Sequence, residues 1–196
     1  MYIPKHFAVS DKEEIDRFID QNSFGVMVSQ QAGDTIASHV PVYRSSATQL
    51  QIHIAKANPQ WQELDGQRVL IVLQGLHDYI SPTWYERPGG VPTWNYQAVH
   101  IYGTAKCFSD TAKLDALVKA LSHRYESARP NPWQPDYNPN MLTAIIGIEI
   151  EIDDIQCKFK LSQNRPVTDI ENVSSELAEA GNPALAAAMR SQIKKS

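Results

Sequence analysis

The chain has 196 residues, 42% of them hydrophobic and 20% charged, which is typical of one globular domain with a single core. The formal net charge is −4 at pH 7, so bulk electrostatics gives no attraction to nucleic acids or acidic membrane surfaces. Cys107 and Cys157 stand in no metal-binding spacing, which favours two reduced thiols. No stretch approaches the about 18 apolar residues of a membrane helix, and the start lacks an apolar signal region, so we expect a cytoplasmic protein without membrane contact.

The first third of the chain predicts a helix followed by several strands. Ser10 and Glu13 match a capping box, and apolar residues at helical spacing then predict a helix at about 11–21. Four runs rich in Val and Ile follow, separated by turn residues. They predict strands at 24–29, 35–43, 49–55 and 68–74. The run at 69–73 is apolar at every position, which predicts burial on both faces.

The middle of the chain alternates between strand and helix. A long strand is predicted at about 96–108, and a helix at about 110–126 begins with Ser109 or Asp110 as its cap. Isoleucines at even positions in 146–152 alternate with polar residues or glycine, which predicts a strand with one face in water.

The last third predicts a change of strand face and then two helices. The apolar positions change from even to odd after Asp153 and Asp154, as a bulge or sharp bend requires. One tail helix is predicted to begin near Pro166, and another at Asn182 and Pro183. The sequence thus predicts a mainly antiparallel β domain at 1–165, with an inserted helix at 110–126 and a helical extension at 166–196 packed on it.

Aromatic and amide side chains concentrate in segments expected to be loops or strand ends. These segments are 53–61, 79–85 and 91–96, and they contain three of the four tryptophans. Large aromatic residues in such segments favour a flat aromatic ligand or a partner subunit. Sequence patterns for dinucleotide-binding loops, P-loops, zinc proteases and serine hydrolases are absent.

These segments carry a resemblance to a known family. The blocks at 53–61, 79–85, 91–103 and 160–166, with Val-Pro-Thr-Trp-Asn-Tyr and Leu-Ser-Gln-Asn within them, resemble the signature segments of PaiB-type FMN-binding negative transcriptional regulators in the same order. The opening Met-Tyr-Ile-Pro-Lys-His-Phe is similar too, so the match runs from Met1 to about Pro166. The resemblance implies a split β-barrel that binds FMN at the interface of a homodimer.

A set of polar residues in the matched blocks suits the polar parts of FMN. We expect Lys56, just beyond a strand, to bind the dianionic phosphate, and Asn58 and Ser81 to add neutral hydrogen bonds. Thr93 and Asn95 are expected at the ribityl chain or the edge of the ring.

A second candidate for the anion lies just before the predicted helix at Pro166. Lys160, Gln163 and Asn164 precede this helix, where backbone amides can hold an anion. The alternative is an ordinary helix cap with a surface lysine, and the sequence does not decide between them.

The aromatic and histidine residues have two interpretations each. Trp84, Trp94 and Tyr96 either stack on the flavin or pack across the dimer interface, and interface packing is the commoner role. The histidines are expected to be hydrogen-bonded structural residues rather than ligands. They are His39, His53 and His100.

The resemblance implies a regulator whose flavin is structural or redox-sensing. The alternative is a small FMN-dependent oxidoreductase using NAD(P)H or an organic donor, which needs no catalytic side chain because the flavin performs the chemistry. A weaker alternative is haem binding or degradation, although no histidine follows His123. DNA binding lacks support from the charge, since its candidate patches are only Arg124 with Arg129 and the Lys194-Lys195 end.

Overall fold

The computed structural model describes residues 1–193. Its strands are β1 (Phe24–Gln31), β2 (Asp34–Pro41), β3 (Tyr43–Arg44), β4 (Gln49–Ala55), β5 (Arg68–Ile80), β6 (Thr93–Phe108) and β7 (Ile145–Lys160). Its α-helices are α1 (Lys12–Gln21), α2 (Thr111–Glu126), α3 (Val167–Glu179) and α4 (Pro183–Ile193). Short 3₁₀ turns lie at Lys5–Phe7, Pro59–Glu63, Pro82–Trp84 and Pro139–Ala144. Within residues 1–193, no helix combines the length and the apolar character that crossing a membrane requires.

The strands form a seven-stranded sheet in the order β2-β1-β5-β6-β7-β4-β3. Strand β1 pairs antiparallel with β2 and with β5, and β4 pairs antiparallel with β3 and with β7. The pairing of β4 sets Ile52 opposite Ile148 and His53 opposite Gly147. The predicted fold class, an antiparallel β sheet with flanking helices, is confirmed.

The chain divides into two compact units. The first unit comprises 1–19, 74–99 and the described part of 156–196, and the second comprises 20–73 and 100–155. In the first unit, fully buried residues include Ile80, Val99, Leu177 and Leu185. In the second unit they include Ile52, Ile71, Ile101 and Ile148. The boundary predicted at residues 165 and 166 between a barrel and a helical extension stays a prediction.

Side-chain caps set the starts of α1, α2 and α4. Asp110 caps α2, since its carboxylate accepts a hydrogen bond from the backbone N–H of Lys113 at 2.8 Å. Asp110 is one of the two residues predicted for this cap. Asn182 caps α4 in the same way through Leu185 N–H at 3.1 Å. The prediction for α1 is wrong by one residue, because Asp11 rather than Ser10 accepts from the backbone of Glu14, at 2.8 Å.

Strand β5 is buried on one face only within the single chain. The odd-numbered residues Val69, Ile71 and Leu73 are buried, whereas Leu70 and Val72 are half-buried. The prediction of burial on both faces is therefore wrong for the isolated chain. An apolar face that remains half-exposed is available to another surface.

Strand β6 passes so close to β7 that one position admits glycine alone without strain. A Cβ on Gly103 would lie 2.3 Å from the carbonyl oxygen of Glu151 and 2.7 Å from Cγ2 of Ile150. We expect Gly103→Ala to lower the free energy of unfolding by about 1–3 kcal/mol, because backbone atoms must move to accommodate the methyl group. Urea denaturation measures the change, with the exposed neighbour Thr104→Ala as control. An unchanged midpoint for Gly103→Ala would contradict the close approach.

Candidate functional site

Lys56 is a free cation on a fixed stretch of backbone in the second unit. Its backbone N–H donates to the carbonyl of Ala144 at 2.8 Å, and its carbonyl accepts from the indole N–H of Trp61 at 2.9 Å. The side chain is exposed, and within residues 1–193 its ammonium has no hydrogen bond or ion pair. The structure thus places an uncommitted positive charge directly after β4, where the sequence predicts a phosphate contact.

Asn58 holds the loop after Lys56 in place. Its carboxamide oxygen accepts from the backbone N–H of Gln60 at 3.0 Å, and its NH₂ donates to the hydroxyl of Ser38 at 2.9 Å. Gln60 is fully buried, and its amide nitrogen donates to Ser29 Oγ at 2.8 Å. The predicted contact of Asn58 with the cofactor stays a prediction, and its amide already stabilises the loop.

In the first unit the structure brings Thr93, Trp94 and Lys160 together. The ammonium of Lys160 donates to the hydroxyl of Thr93 at 2.7 Å and to the carbonyl of Trp94. Trp94 is 54% exposed, and its ring meets Tyr79 edge-on with centroids 6.2 Å apart. Burial, followed by the charges of Lys158 and Arg165, holds the pKa of Lys160 below its usual value.

Lys158 is a buried cation that sequence reasoning missed. It is only 7% exposed, its ammonium donates to the carbonyl of Tyr2 at 3.1 Å, and it lies 5.2 Å from the centre of the Tyr96 ring. No carboxylate among residues 1–193 pairs with it. Because residues alternate across a strand, Lys158 and Lys160 lie on the same face of β7. The sequence signal for this residue is the alternation Lys-Phe-Lys at 158–160. The same alternation is typical of an ordinary strand with one face in water, so it does not predict a buried lysine.

Asn95 is fully buried in the first unit with only part of its amide satisfied. Its NH₂ donates to Ser162 Oγ at 2.9 Å and lies 3.3 Å from the sulfur of Met189. Its carbonyl oxygen is buried without a hydrogen-bond partner among the described residues. Buried acceptors are normally paired. This oxygen is therefore a candidate acceptor for a hydrogen bond from a group that the single chain does not supply.

The remaining predicted residues of the first unit have local roles in the single chain. The hydroxyl of Ser81 accepts from the backbone N–H of Thr83 at 3.3 Å and caps the turn that contains the half-buried Trp84. Gln163 donates to the carbonyl of Phe159 at 2.6 Å and accepts from the N–H of Leu161 at 2.7 Å. Asn164 is exposed and Tyr96 is half-buried. Contacts of these residues with a cofactor stay predictions.

Two of the three singled-out histidines are not satisfied. His53 and His100 each have a buried Nδ1 without a hydrogen-bond partner among the described residues. Burial lowers the pKa of both imidazoles. His39 is exposed and stacks on Phe24 with centroids 6.2 Å apart. The expectation of hydrogen-bonded structural histidines is wrong for Nδ1 of His53 and His100, because burial leaves this atom of each ring without a hydrogen-bond partner among the described residues.

Both cysteines are free thiols. Burial and the nearby Asp65 raise the pKa of Cys107 to about 11. Burial and the charge of Glu14 raise the pKa of Cys157 to about 12. Since the thiolate is the reactive form, neither residue suits nucleophilic or redox chemistry.

Comparison with known proteins adds to this geometry. Residues 1–154 match the family described as "Putative FMN-binding domain". The chain is 41% identical, over 100% of its length and 99% of the other protein, to the protease synthase and sporulation protein PAI 2 of Bacillus subtilis.

Two solved structures share the fold at low sequence identity. A flavocytochrome from Azotobacter vinelandii superposes with a TM-score of 0.65 at 15% identity, over 81% of this chain and 72% of that one. An FAD and heme binding protein from Mycobacterium smegmatis gives 0.62 at 19% identity, over 78% and 72%. These neighbours are flavin-binding split barrels, and they support the predicted fold. With the family match over most of its length, the chain belongs to the PaiB-type FMN-binding family, and its cofactor is FMN.

Proposed function

We propose that this protein is a cytoplasmic homodimer that binds the phosphate of FMN through Lys56 and acts as a negative transcriptional regulator. In this proposal the flavin is a structural or redox-sensing cofactor. The observation that carries the proposed phosphate contact is the free, exposed ammonium of Lys56 on a backbone fixed by hydrogen bonds to Ala144 and Trp61. A preplaced cation without a carboxylate partner favours a phosphate group.

Each unit, taken by itself, presents groups that fit a part of FMN. Lys56 offers the charge that the phosphate requires. The buried carbonyl oxygen of Asn95 lacks a donor, and the isoalloxazine ring carries an N–H that can donate. Lys158 and Lys160 carry positive charge without a carboxylate, which suits the electron-rich edge of a flavin. When bound, FMN supplies hydride or electron transfer, and the protein binds and orients it.

The observation that supports a homodimer is a half-exposed apolar face in the second unit. The registers set Val26 opposite Val72 and Val28 opposite Leu70, and all four are half-buried in the single chain. Phe24, on the same face of β1, is 66% exposed. Exposed apolar side chains this close together favour burial against a partner surface. A twofold interface brings the same surface of both copies together, and two copies of this face meet that requirement.

The regulatory role is supported by the resemblance and by a relative whose name refers to protease synthesis and sporulation. Burial raises the pKa of Cys107 and Cys157, which favours the flavin over a cysteine as the redox-sensing group. The test is the visible spectrum of the purified protein, followed by anaerobic addition of NADH or NADPH. We expect a yellow protein that neither donor bleaches within minutes. Rapid bleaching would overturn the regulator and favour the oxidoreductase alternative.

DNA binding by the dimer is expected to be weak. Of the predicted cations, Arg124 pairs with Asp20 at 3.1 Å and Arg129 with Glu126 at 3.2 Å, and the Lys194-Lys195 end lies outside the described residues. The exposed side of α4 carries Arg190 among alanines and serine, unlike a recognition helix.

With few phosphates neutralised, we expect a non-specific Kd no tighter than about 10⁻⁴–10⁻⁶ M at physiological salt and a shallow salt dependence. Titration of labelled random duplex at several salt concentrations measures both. Nanomolar affinity with a steep slope would reveal a basic surface and contradict this expectation.

A further inference from the structure

The second unit contains a cavity that includes none of the residues assigned to FMN. Its volume is about 300 Å³, at the lower end of the range for small-molecule sites. Its walls come from the end of β2, from β4, from one face of α2 and from the segment after α2. The principal lining residues are Pro41, His53, Val118, Leu121, Tyr125 and Trp133.

The two aromatic walls are held in place by hydrogen bonds and ring stacking. The hydroxyl of Tyr125 hydrogen-bonds to Ser23 Oγ at 2.8 Å. The backbone N–H of Trp133 donates to the carboxylate of Glu126 at 2.9 Å, and its ring stacks on Tyr137 with centroids 6.3 Å apart. Both Tyr125 and Trp133 nevertheless remain 47% exposed. The cavity is therefore preformed, with aromatic faces open for a ligand.

His53 contributes an imidazole to this mostly apolar lining, which also includes Ser122 and Glu126. Its Nδ1 is buried without a partner among residues 1–193, and an unpaired buried polar atom destabilises a protein. Burial lowers the pKa of the imidazole, so the ring is neutral near pH 7. A neutral imidazole presents one donor and one acceptor nitrogen. A hydroxyl can pair with either, whichever tautomer is present.

The charges around the cavity disfavour an anionic ligand. Glu126 also lines the cavity, and its carboxylate pairs with Arg129 at 3.2 Å. With a neutral His53 and this carboxylate, no positive charge faces the interior from the lining residues. The combination of a neutral imidazole, aliphatic residues from α2 and two aromatic walls fits a neutral ring that carries one hydroxyl group.

We propose that this cavity is a binding site for a small neutral phenol, with its ring between the aromatic walls and Val118 and its hydroxyl paired with His53. The site goes beyond the flavin-binding function, because no residue proposed for FMN lines it. A phenolic ligand here acts as a substrate or an effector of the flavoprotein, and its binding is measurable without either activity.

The test is isothermal titration calorimetry of the purified flavoprotein with p-cresol and with toluene, which has the same ring and methyl group but no hydroxyl. We expect p-cresol to bind about three- to tenfold more tightly than toluene, as one hydrogen bond to a buried group predicts. His53→Phe is expected to abolish this preference while toluene still binds.

Two further variants locate the ligand. Val118→Trp fills the cavity from a half-buried position on α2, and it is expected to abolish binding of both compounds. Ala116→Trp, at an exposed position of the same helix that does not line the cavity, is the matched control and is expected to bind as the native protein does. Absence of p-cresol binding to the native protein, equal affinity for both compounds, or binding that survives Val118→Trp would each overturn the proposal.

Discussion

Lys56→Ala is expected to weaken FMN binding about ten- to a hundredfold and to leave riboflavin binding nearly unchanged. The two ligands differ in the phosphate, and a charge-assisted hydrogen bond contributes about 1.5–3 kcal/mol. The backbone of Lys56 is fixed by hydrogen bonds that do not involve its side chain, so truncation leaves the loop intact. Quenching of flavin fluorescence measures both affinities under the same conditions.

Two variants control for the charge and its position. Lys56→Arg keeps the positive charge and is expected to retain most of the FMN affinity. Lys12→Ala removes one charge from an exposed position at the start of α1, and it is expected to leave both affinities unchanged. Equal weakening of FMN and riboflavin by Lys56→Ala, or no weakening of either, would contradict the phosphate contact.

Val72→Asp is expected to separate the proposed homodimer into monomers. Val72 lies opposite Val26 on the half-exposed apolar face of the second unit, and twofold symmetry would bring the new carboxylate into the interface twice. An unpaired charge in an apolar interface costs about 3 kcal/mol or more, so the dissociation constant of the dimer should rise by at least about a hundredfold. Sedimentation velocity over a range of protein concentrations measures the shift.

The matched control is Val167→Asp, which introduces the same charge at the start of α3, at a residue that is 48% exposed. This variant is expected to sediment as the native protein does. Circular dichroism checks that Val72→Asp is folded, since an aspartate on a water-facing side of a strand is compatible with the sheet. A folded Val72→Asp protein that remains dimeric would place the interface elsewhere.

Most of the fold could be predicted because local signals agree with the final packing. Alternation of isoleucine with polar residues marks the first half of β7, and Asp110 and Asn182 mark helix starts with short-range hydrogen bonds. The misplaced cap at Ser10 shows the limit of this reasoning. Both Ser10 and Asp11 are good caps, and only the backbone conformation decides which one accepts from Glu14.

The candidate site was less predictable, because its chemistry depends on contacts between residues distant in sequence. Lys160 could be named from its block, but its bond to Thr93 requires the packing of β6 against the end of β7. Lys158 reads as a surface residue, and only the structure shows it buried beside Tyr2 and Tyr96. His53 looks like an ordinary strand residue until α2 and Trp133 enclose a cavity around it.

Sedimentation velocity of the FMN-loaded protein, followed through protein absorbance and flavin absorbance at once, tests most directly whether this chain binds FMN as a homodimer. We expect a single boundary at twice the 22.0 kDa mass of the chain, with flavin absorbance moving with it at about one FMN per chain. A 22.0 kDa species that carries the flavin, or a dimer whose flavin sediments separately, would contradict the account.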